Sequence, residues 1–325
     1  MQILITGGLG FIGSNFILQL LKQSPKYKII NLDAMIWGSN KINLKQISKQ
    51  ENYQFVKGNI TNKKTVEKLI SKSDIIINFA AESHVDRSII SPESFVKSNI
   101  FGVYTILESI RKHKKKLIQI STDEVYGSLI NDSAKERYPF DPSSPYSASK
   151  ASAEMLVNSY VKTYGIDAIV TRCTNNYGPR QDPEKLIPKT ILLALNNKKI
   201  PIYGNGKNIR DWIFVEDHCN AILKILKNGK WNESYNISAQ NEIDNNKIVE
   251  TILEILGKSK SLIKYVKDRP GHDFRYSLDS SKIRRKLAWK PSRKFDEGLE
   301  ITIKWYQENF KNYPKKRKAV IPYLL

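Results

Sequence analysis

The first residues of the chain limit its fold more than any other stretch. Ile3-Leu4-Ile5 is an apolar strand, Thr6-Gly7-Gly8-Leu9-Gly10-Phe11-Ile12-Gly13 follows, and an apolar helix runs on through Leu20-Leu21. A strand that feeds a glycine-rich turn and then a helix N-terminus is an anion site. Gly7, Gly10 and Gly13 let the backbone approach a pyrophosphate. The free N–H groups where Phe11 and Ile12 open the helix, together with the helix dipole, favour its charge. The second strand, Ile29-Ile30-Asn31-Leu32-Asp33, ends in an acid. Asp33 stands about 20 residues past the glycines, where a carboxylate accepts hydrogen bonds from an adenosine ribose. It would repel a 2′-phosphate, and no arginine follows it, so the expected cofactor is NAD rather than NADP.

The strand-helix alternation continues. Tyr53 to Val56 is a strand followed by Gly58-Asn59-Ile60, and Asp74 to Phe79 is another that ends in Ala80-Ala81. Small residues at that end let a backbone lie against a dinucleotide. Ala168-Ile169-Val170 is the sixth strand. Such alternation predicts an α/β, doubly wound parallel (Rossmann) sheet, with the cofactor across the carboxyl ends of the strands. The expected division is a dinucleotide domain over 1–178, with 212–240 returning to it, and a smaller α/β lobe over 179–325. In that lobe Tyr203 to Trp212 reads as a basic loop, and the residues from Tyr313 read as loosely ordered.

Chemistry concentrates around the strand Lys116 to Ile120. It ends in Ser121-Thr122-Asp123-Glu124, and a helix that follows carries Tyr146 and Lys150 on its first turns. Residues at i and i+4 share a helical face. A lysine ammonium beside a phenol favours the phenolate and lowers its pKa from about 10 toward neutrality, which predicts a general acid/base in Tyr146. Asp123-Glu124 offers a second proton-handling unit. Glu82 to Ser88 follows the fourth strand and faces the same crevice, and Pro92 opens a helix reaching about His113.

The formal net charge is +21, from 53 Lys and Arg against 32 Asp and Glu. The lysines are scattered, so the excess reads as compositional bias on solvated faces, with no specific nucleic-acid partner. No apolar run approaches a membrane span, and no signal peptide is expected. Two cysteines, Cys173 and Cys219, do not make a disulfide framework and suit the cytoplasm. No cluster has metal-ligand spacing.

Taken together, these motifs resemble the extended short-chain dehydrogenase/reductases, and within them the nucleoside-diphosphate-glucose 4,6-dehydratases. The resemblance runs from Met1 to about Trp305. It rests on the glycine loop, Ala80 to Ser88, Ser121 to Gly127, Tyr146-x-x-x-Lys150, Asn175 to Pro179, Pro183 to Pro188, Arg210-Asp211-Trp212 and Arg269 to Asp273. It implies a bound NAD that is reduced and reoxidised within one turnover of dTDP-glucose or UDP-glucose, giving the 4-keto-6-deoxy sugar nucleotide and water. It further implies that Tyr146 takes the proton of the carbon-4 hydroxyl and that Lys150 tunes Tyr146. Thr122 bonds the carbon-4 oxygen, Glu124 removes the proton on carbon 5, and Asp123 protonates the leaving hydroxyl. By the same resemblance Ile60, Asn99 and Ser121 join the cofactor contacts. Ser83, Asn176, Lys185, Arg210 and His272 hold the sugar and its diphosphate, and helices 92–113 and 146–164 pair across a homodimer. Asn59 stands where the family usually has an aspartate near the adenine, and its amide is expected to meet the base's amino group. Arg180-Gln181-Asp182 also departs from the commonest pattern, which leaves the nucleotide open. A 4-epimerase or decarboxylase of the same family needs no Asp-Glu pair, and a non-catalytic NAD- or polyanion-binding module needs none of these groups.

Overall fold

The computed structural model describes residues 1–309. The expected loosening from Tyr313 lies outside them. Strands β1 (Gln2–Thr6), β2 (Lys28–Asp33), β3 (Tyr53–Lys57), β4 (Ile75–Asn78), β5 (Lys116–Thr122) and β6 (Asp167–Cys173) build one sheet with a later strand, Ser234–Ile237. All seven pair parallel, in the spatial order Ser234–Ile237, β6, β5, β4, β1, β2, β3. The order reverses between β1 and β4, and there a crevice opens at the carboxyl ends of the strands.

Period-2 alternation along each strand divides the core into two layers. Ile3 and Ile5 of β1 face one layer with Phe16, Ile17 and Leu20 of the helix Phe11–Gln23 and with Ile222 and Ile225 of the helix Val215–Asn228. Leu4 faces the other, with Val103, Ile106 and Leu107 of the helix Gly102–His113 and Val157 and Tyr160 of the helix Pro145–Tyr164. Burial on both faces is why these strands are nearly all apolar.

The second lobe holds β7 (Asn175–Tyr177), β8 (Ile200–Tyr203) and β9 (Ile209–Phe214). After Ser234–Ile237, which is β10, come β11 (Glu242–Asp244) and β12 (Ile263–Val266). Strand β9 lies between β11 and β7, and β8 pairs with β12. Tyr177, Trp212 and Phe214 pack on the helices Leu186–Leu195, Asn245–Ile255 and Phe295–Asn309. The stretch read as a basic loop is thus half strand, and the charged residues of that strand are buried against partners. Trp212 enters the apolar core. Asp211 accepts from Ser238 Oγ and, at 2.9 Å, from Asn241 N–H, and Arg210 holds the backbone of residues 273 and 274. An adjacent Arg-Asp pair beside Gly, Asn and Lys looks like a loop in one dimension.

The helix expected from Pro92 to His113 is present with an inserted π turn over Val96–Phe101. The turn brings Asn99 inward. Its amide brackets Glu82, accepting from the N–H at 2.8 Å and donating to the carbonyl at 3.0 Å, and it also donates to Ser149 Oγ at 2.9 Å. Asn99 therefore secures the loop after β4 and does not stand on the crevice wall.

Candidate active site

A single crevice runs along the carboxyl ends of the strands. Its wall includes Gly7, Gly10, Phe11, Ile12, Gly13, Asp33, Asn59, Ile60, Ala80 and Ala81 at one end, and Ser121, Thr122, Asp123, Glu124, Tyr146 and Lys150 at the other. Ser83, Asn176 and Lys185 close it toward the second lobe. Arg210 and His272 are not among the residues that line it.

Gly7 has φ +69°, and a Cβ there would lie 2.6 Å from the backbone nitrogen of Ala80. Only glycine lets the first turn press against the end of β4. Asp33 accepts from Leu9 N–H (3.0 Å), Met35 N–H (2.7 Å) and Ser39 Oγ (2.7 Å). Its carboxylate ties the glycine turn to the loop after β2 and keeps one acceptor site for a ribose hydroxyl. Asn59 differs from expectation. Its Oδ1 accepts from both the N–H and the hydroxyl of Thr61, each at 3.0 Å, so the side chain has its amino group left over and not its oxygen.

At the other end, Thr122 terminates β5. Its hydroxyl accepts from Glu124 N–H at 3.3 Å and donates to Asp123 Oδ1 at 3.1 Å, turning the chain into the short 3-10 helix Asp123–Tyr126. The partner helix starts with a Ser144–Ser147 capping box and Pro145 at its first position. That start aims Tyr146 and Lys150 at the strand end. Lys150 Nζ donates to Ile120 O at 2.7 Å. Burial pushes the ammonium down to about 8, against the pull of Glu154 one turn on. The Tyr146 hydroxyl goes the other way. Burial first, then the Glu124 charge, holds it well above 10, and the Thr122 hydrogen bond opposes them. The expectation that the Lys150 ammonium lowers Tyr146 toward neutrality is not met. The ammonium is spent on a carbonyl, and the dominant effect on the phenol is loss of water.

The two carboxyls are set apart by their surroundings. Burial and then repulsion from Glu124 raise Asp123 well above the carboxylate range, and its Oδ2 is buried with no hydrogen-bond partner among the described residues. Burial raises Glu124 as well, but Arg269, Lys185 and Arg210 pull it back. One group is held as an acid and its neighbour has cations to support an anion.

Tyr276 was not singled out from the sequence, and the partners of the other polar groups here were not foreseen. Tyr276 donates to Asp273 Oδ2 at 2.6 Å, and its oxygen stands 3.5 Å from Glu124 Oε2, under the Arg210 guanidinium. Asp86 binds Arg269 (3.1 Å) and Tyr203 (3.0 Å), clasping the loop after β4 to the second lobe. Lys185 Nζ reaches Ser83 O at 2.9 Å. His272 pairs with Asp268 at 2.7 Å, and burial with the nearby arginines holds it down at about 4. Residues 269–273 formed a visible motif, and Tyr276 follows it by one more turn of chain.

The family whose profile matches residues 4–302 is described as GDP-mannose 4,6 dehydratase. The chain is 43% identical over 314 residues to a dTDP-glucose 4,6-dehydratase of Streptomyces niveus, covering 95% of this chain and 94% of that one. It superposes with a TM-score of 0.90 on dTDP-glucose 4,6-dehydratase from Bacillus anthracis in complex with NAD, at 47% identity and over 96% and 98% of the two chains. It also superposes with a TM-score of 0.88 on UDP-glucose 4-epimerase of Thermotoga maritima, at 30% identity over 95% and 100%. The chain belongs to the GDP-mannose 4,6 dehydratase family, within the extended short-chain dehydrogenase/reductases.

Proposed function

We propose that the protein is an NAD-dependent nucleoside-diphosphate-glucose 4,6-dehydratase acting on dTDP-glucose. The observation that carries this is the meeting of two proton-handling units, Tyr146–Lys150 and Asp123–Glu124, at one crevice. The epimerase fold alone does not distinguish the two reactions, because an epimerase has no water to expel. The curated dTDP-glucose dehydratases among the relatives favour thymidine over uridine.

The glycine turn pressed on Ala80, the Asp33 acceptor and the small residues Ala80 and Ala81 fit NAD. Gly7, Gly10, Gly13, Asp33, Asn59, Ile60, Ser121, Tyr146 and Lys150 would hold it. When bound, NAD supplies the two-electron acceptor that carbon 4 requires and returns those electrons at carbon 6. Tyr146 takes the proton of the carbon-4 hydroxyl as a phenolate, which requires the Lys150 ammonium, the Thr122 hydrogen bond and the positive nicotinamide ring that NAD would bring to offset the burial that raises it. Glu124, facing Arg269, Lys185 and Arg210, removes the acidified proton on carbon 5. Asp123 gives its proton to the carbon-6 hydroxyl, which leaves as water. Ser83, Asn176, Lys185, Arg210 and His272 clamp the sugar and diphosphate while the two units act in turn. Incubation with dTDP-glucose and UDP-glucose in parallel tests the reading. A 4-keto sugar, detected by its alkaline absorbance, is expected fastest from dTDP-glucose, and no product from either refutes it.

Lys150 works as an ammonium. It is protonated below about 8 and neutral above, so activity should fall as pH rises through that value. Lys150→Arg keeps a charge at all working pH values, and a pH profile of kcat/KM should lose this limb. An unchanged limb assigns it to another group.

We also propose a cytoplasmic homodimer. Val96 (50% exposed), Phe101 (43%), Met155 (64%) and Tyr164 (49%) leave apolar surface on the two helices at the edge of the second layer. A two-fold pairing would cover both copies of one patch. Sedimentation at micromolar concentration should give twice the chain mass, and a monomer refutes it.

A further inference from the structure

His218 belongs to no part of the chemistry above, yet it is a fully buried imidazole in the first turns of the helix Val215–Asn228. Its Nδ1 is 2.8 Å from Asn176 Oδ1. Asn176 Nδ2 in turn donates to Thr174 O at 2.9 Å and to Cys173 Sγ at 3.4 Å. These contacts fix the amide. Turned over, it would set its oxygen against the Thr174 carbonyl, two acceptors at hydrogen-bond distance. With Oδ1 facing the ring, Nδ1 must carry the imidazole proton, so Nε2 is a bare acceptor. That Nε2 is buried without a hydrogen-bond partner among the described residues. A hydrocarbon side chain would fill this place without a stranded polar atom. The polar ring therefore needs a reason, and its one hydrogen bond supplies it.

We propose that His218 is a positioning residue: its Nδ1–H holds the Asn176 carbonyl away from the crevice, so that Asn176 presents its amino group to the diphosphate of the substrate. The inference rests on the crevice being a sugar-nucleotide site. Of the two Asn176 N–H bonds, one is committed to a carbonyl and the other meets only a thiol sulfur, a weak acceptor that a phosphate oxygen would displace. Without the His218 donor, only the Thr174 carbonyl would oppose a turned amide, which offers its oxygen to an anion. Burial holds the His218 ring down at about 3, so the same tautomer persists across the working range.

Two isosteric variants separate the donor from the packing. His218→Asn keeps an N–H close to the Nδ1 position, and His218→Leu has the same shape without it. Their binding of dTDP and of UDP to the NAD-loaded enzyme is read by calorimetry, beside KM and kcat for dTDP-glucose. The leucine variant should lose about tenfold or more in Kd and in KM, with a much smaller change in kcat, and the asparagine variant should recover most of it. In an Asn176→Ala background, His218→Leu should cost nothing further in Kd, because its effect passes through Asn176. Equal binding by the two His218 variants, or a full additional loss in that background, overturns the proposal. Should His218→Leu not fold, the Asn176→Ala enzyme and its His218→Asn double variant still decide it, since the proposal requires their Kd values to agree. Wild type that binds dTDP without forming a keto sugar would reject the dehydratase reading and leave this inference standing.

Discussion

Changing Asp123 to Asn and Glu124 to Gln together should stall the reaction after its first half. The variant keeps the size of both side chains, and Thr122, Tyr146 and Lys150 are untouched, so carbon 4 is still oxidised. No carboxylate then removes the proton on carbon 5, and no acid assists the hydroxyl on carbon 6. Each such group contributes roughly 10²- to 10⁴-fold, so turnover should fall by at least that factor. Rapid mixing with dTDP-glucose should show the reduced form of the bound cofactor building up in its own absorbance band. Tyr146→Phe should behave oppositely and show neither product nor reduced cofactor. Dehydration at the parent rate by the double variant would mean that the pair is only a turn at a strand end.

The second large effect is on stability. Glu154 lies on the same helix as Tyr146 and Lys150, eight and four residues past them, and its Oε2 accepts from Arg172 Nε at 2.8 Å and from Nη2. Both side chains are buried, at 1% and 2% exposure. The other end of the guanidinium donates to Tyr126 OH (2.7 Å) and to Glu136 O (3.0 Å). Glu154→Ala strands the arginine charge inside the protein, and breaking a buried pair from one side costs about 3–5 kcal/mol. Urea denaturation should show a loss of that order. A loss near that of an ordinary surface substitution would mean that water already reaches the pair. The helix that carries Tyr146 is anchored here, so partial denaturant should abolish activity before the rest of the sheet opens.

The doubly wound sheet was legible because its signals are local. Gly7 to Gly13, Asp33 at the end of β2 and the apolar β1, β4 and β5 each declare themselves within a few residues. The groups proposed to react were legible for the same reason, since Thr122 to Glu124 and Tyr146 with Lys150 are short patterns. What escaped depends on contacts across the chain. Asp86 reaches Arg269 over 183 positions. Tyr276 reaches Glu124 over 152. No period or spacing announces either. The π turn that turns Asn99 toward Glu82 has no residue signature in Val96 to Phe101. The Tyr146 hydroxyl was misjudged because neighbour charge is visible in a sequence, whereas the depth of burial that outweighs it is not.

The parallel pairing of β10 with β6 has a practical consequence for building chimaeras. A fragment ending at residue 178 would lack Ser234–Ile237 and the helix Val215–Asn228. It would leave β6 as an open edge and uncover Ile17 and Leu20 on the adjacent face. An unpaired apolar edge recruits strands from other molecules, so such a fragment should precipitate rather than bind a dinucleotide. Exchanging the sugar-binding lobe between relatives therefore calls for two separate grafts, one before residue 215 and one after residue 237, with the strand and helix between them kept as host.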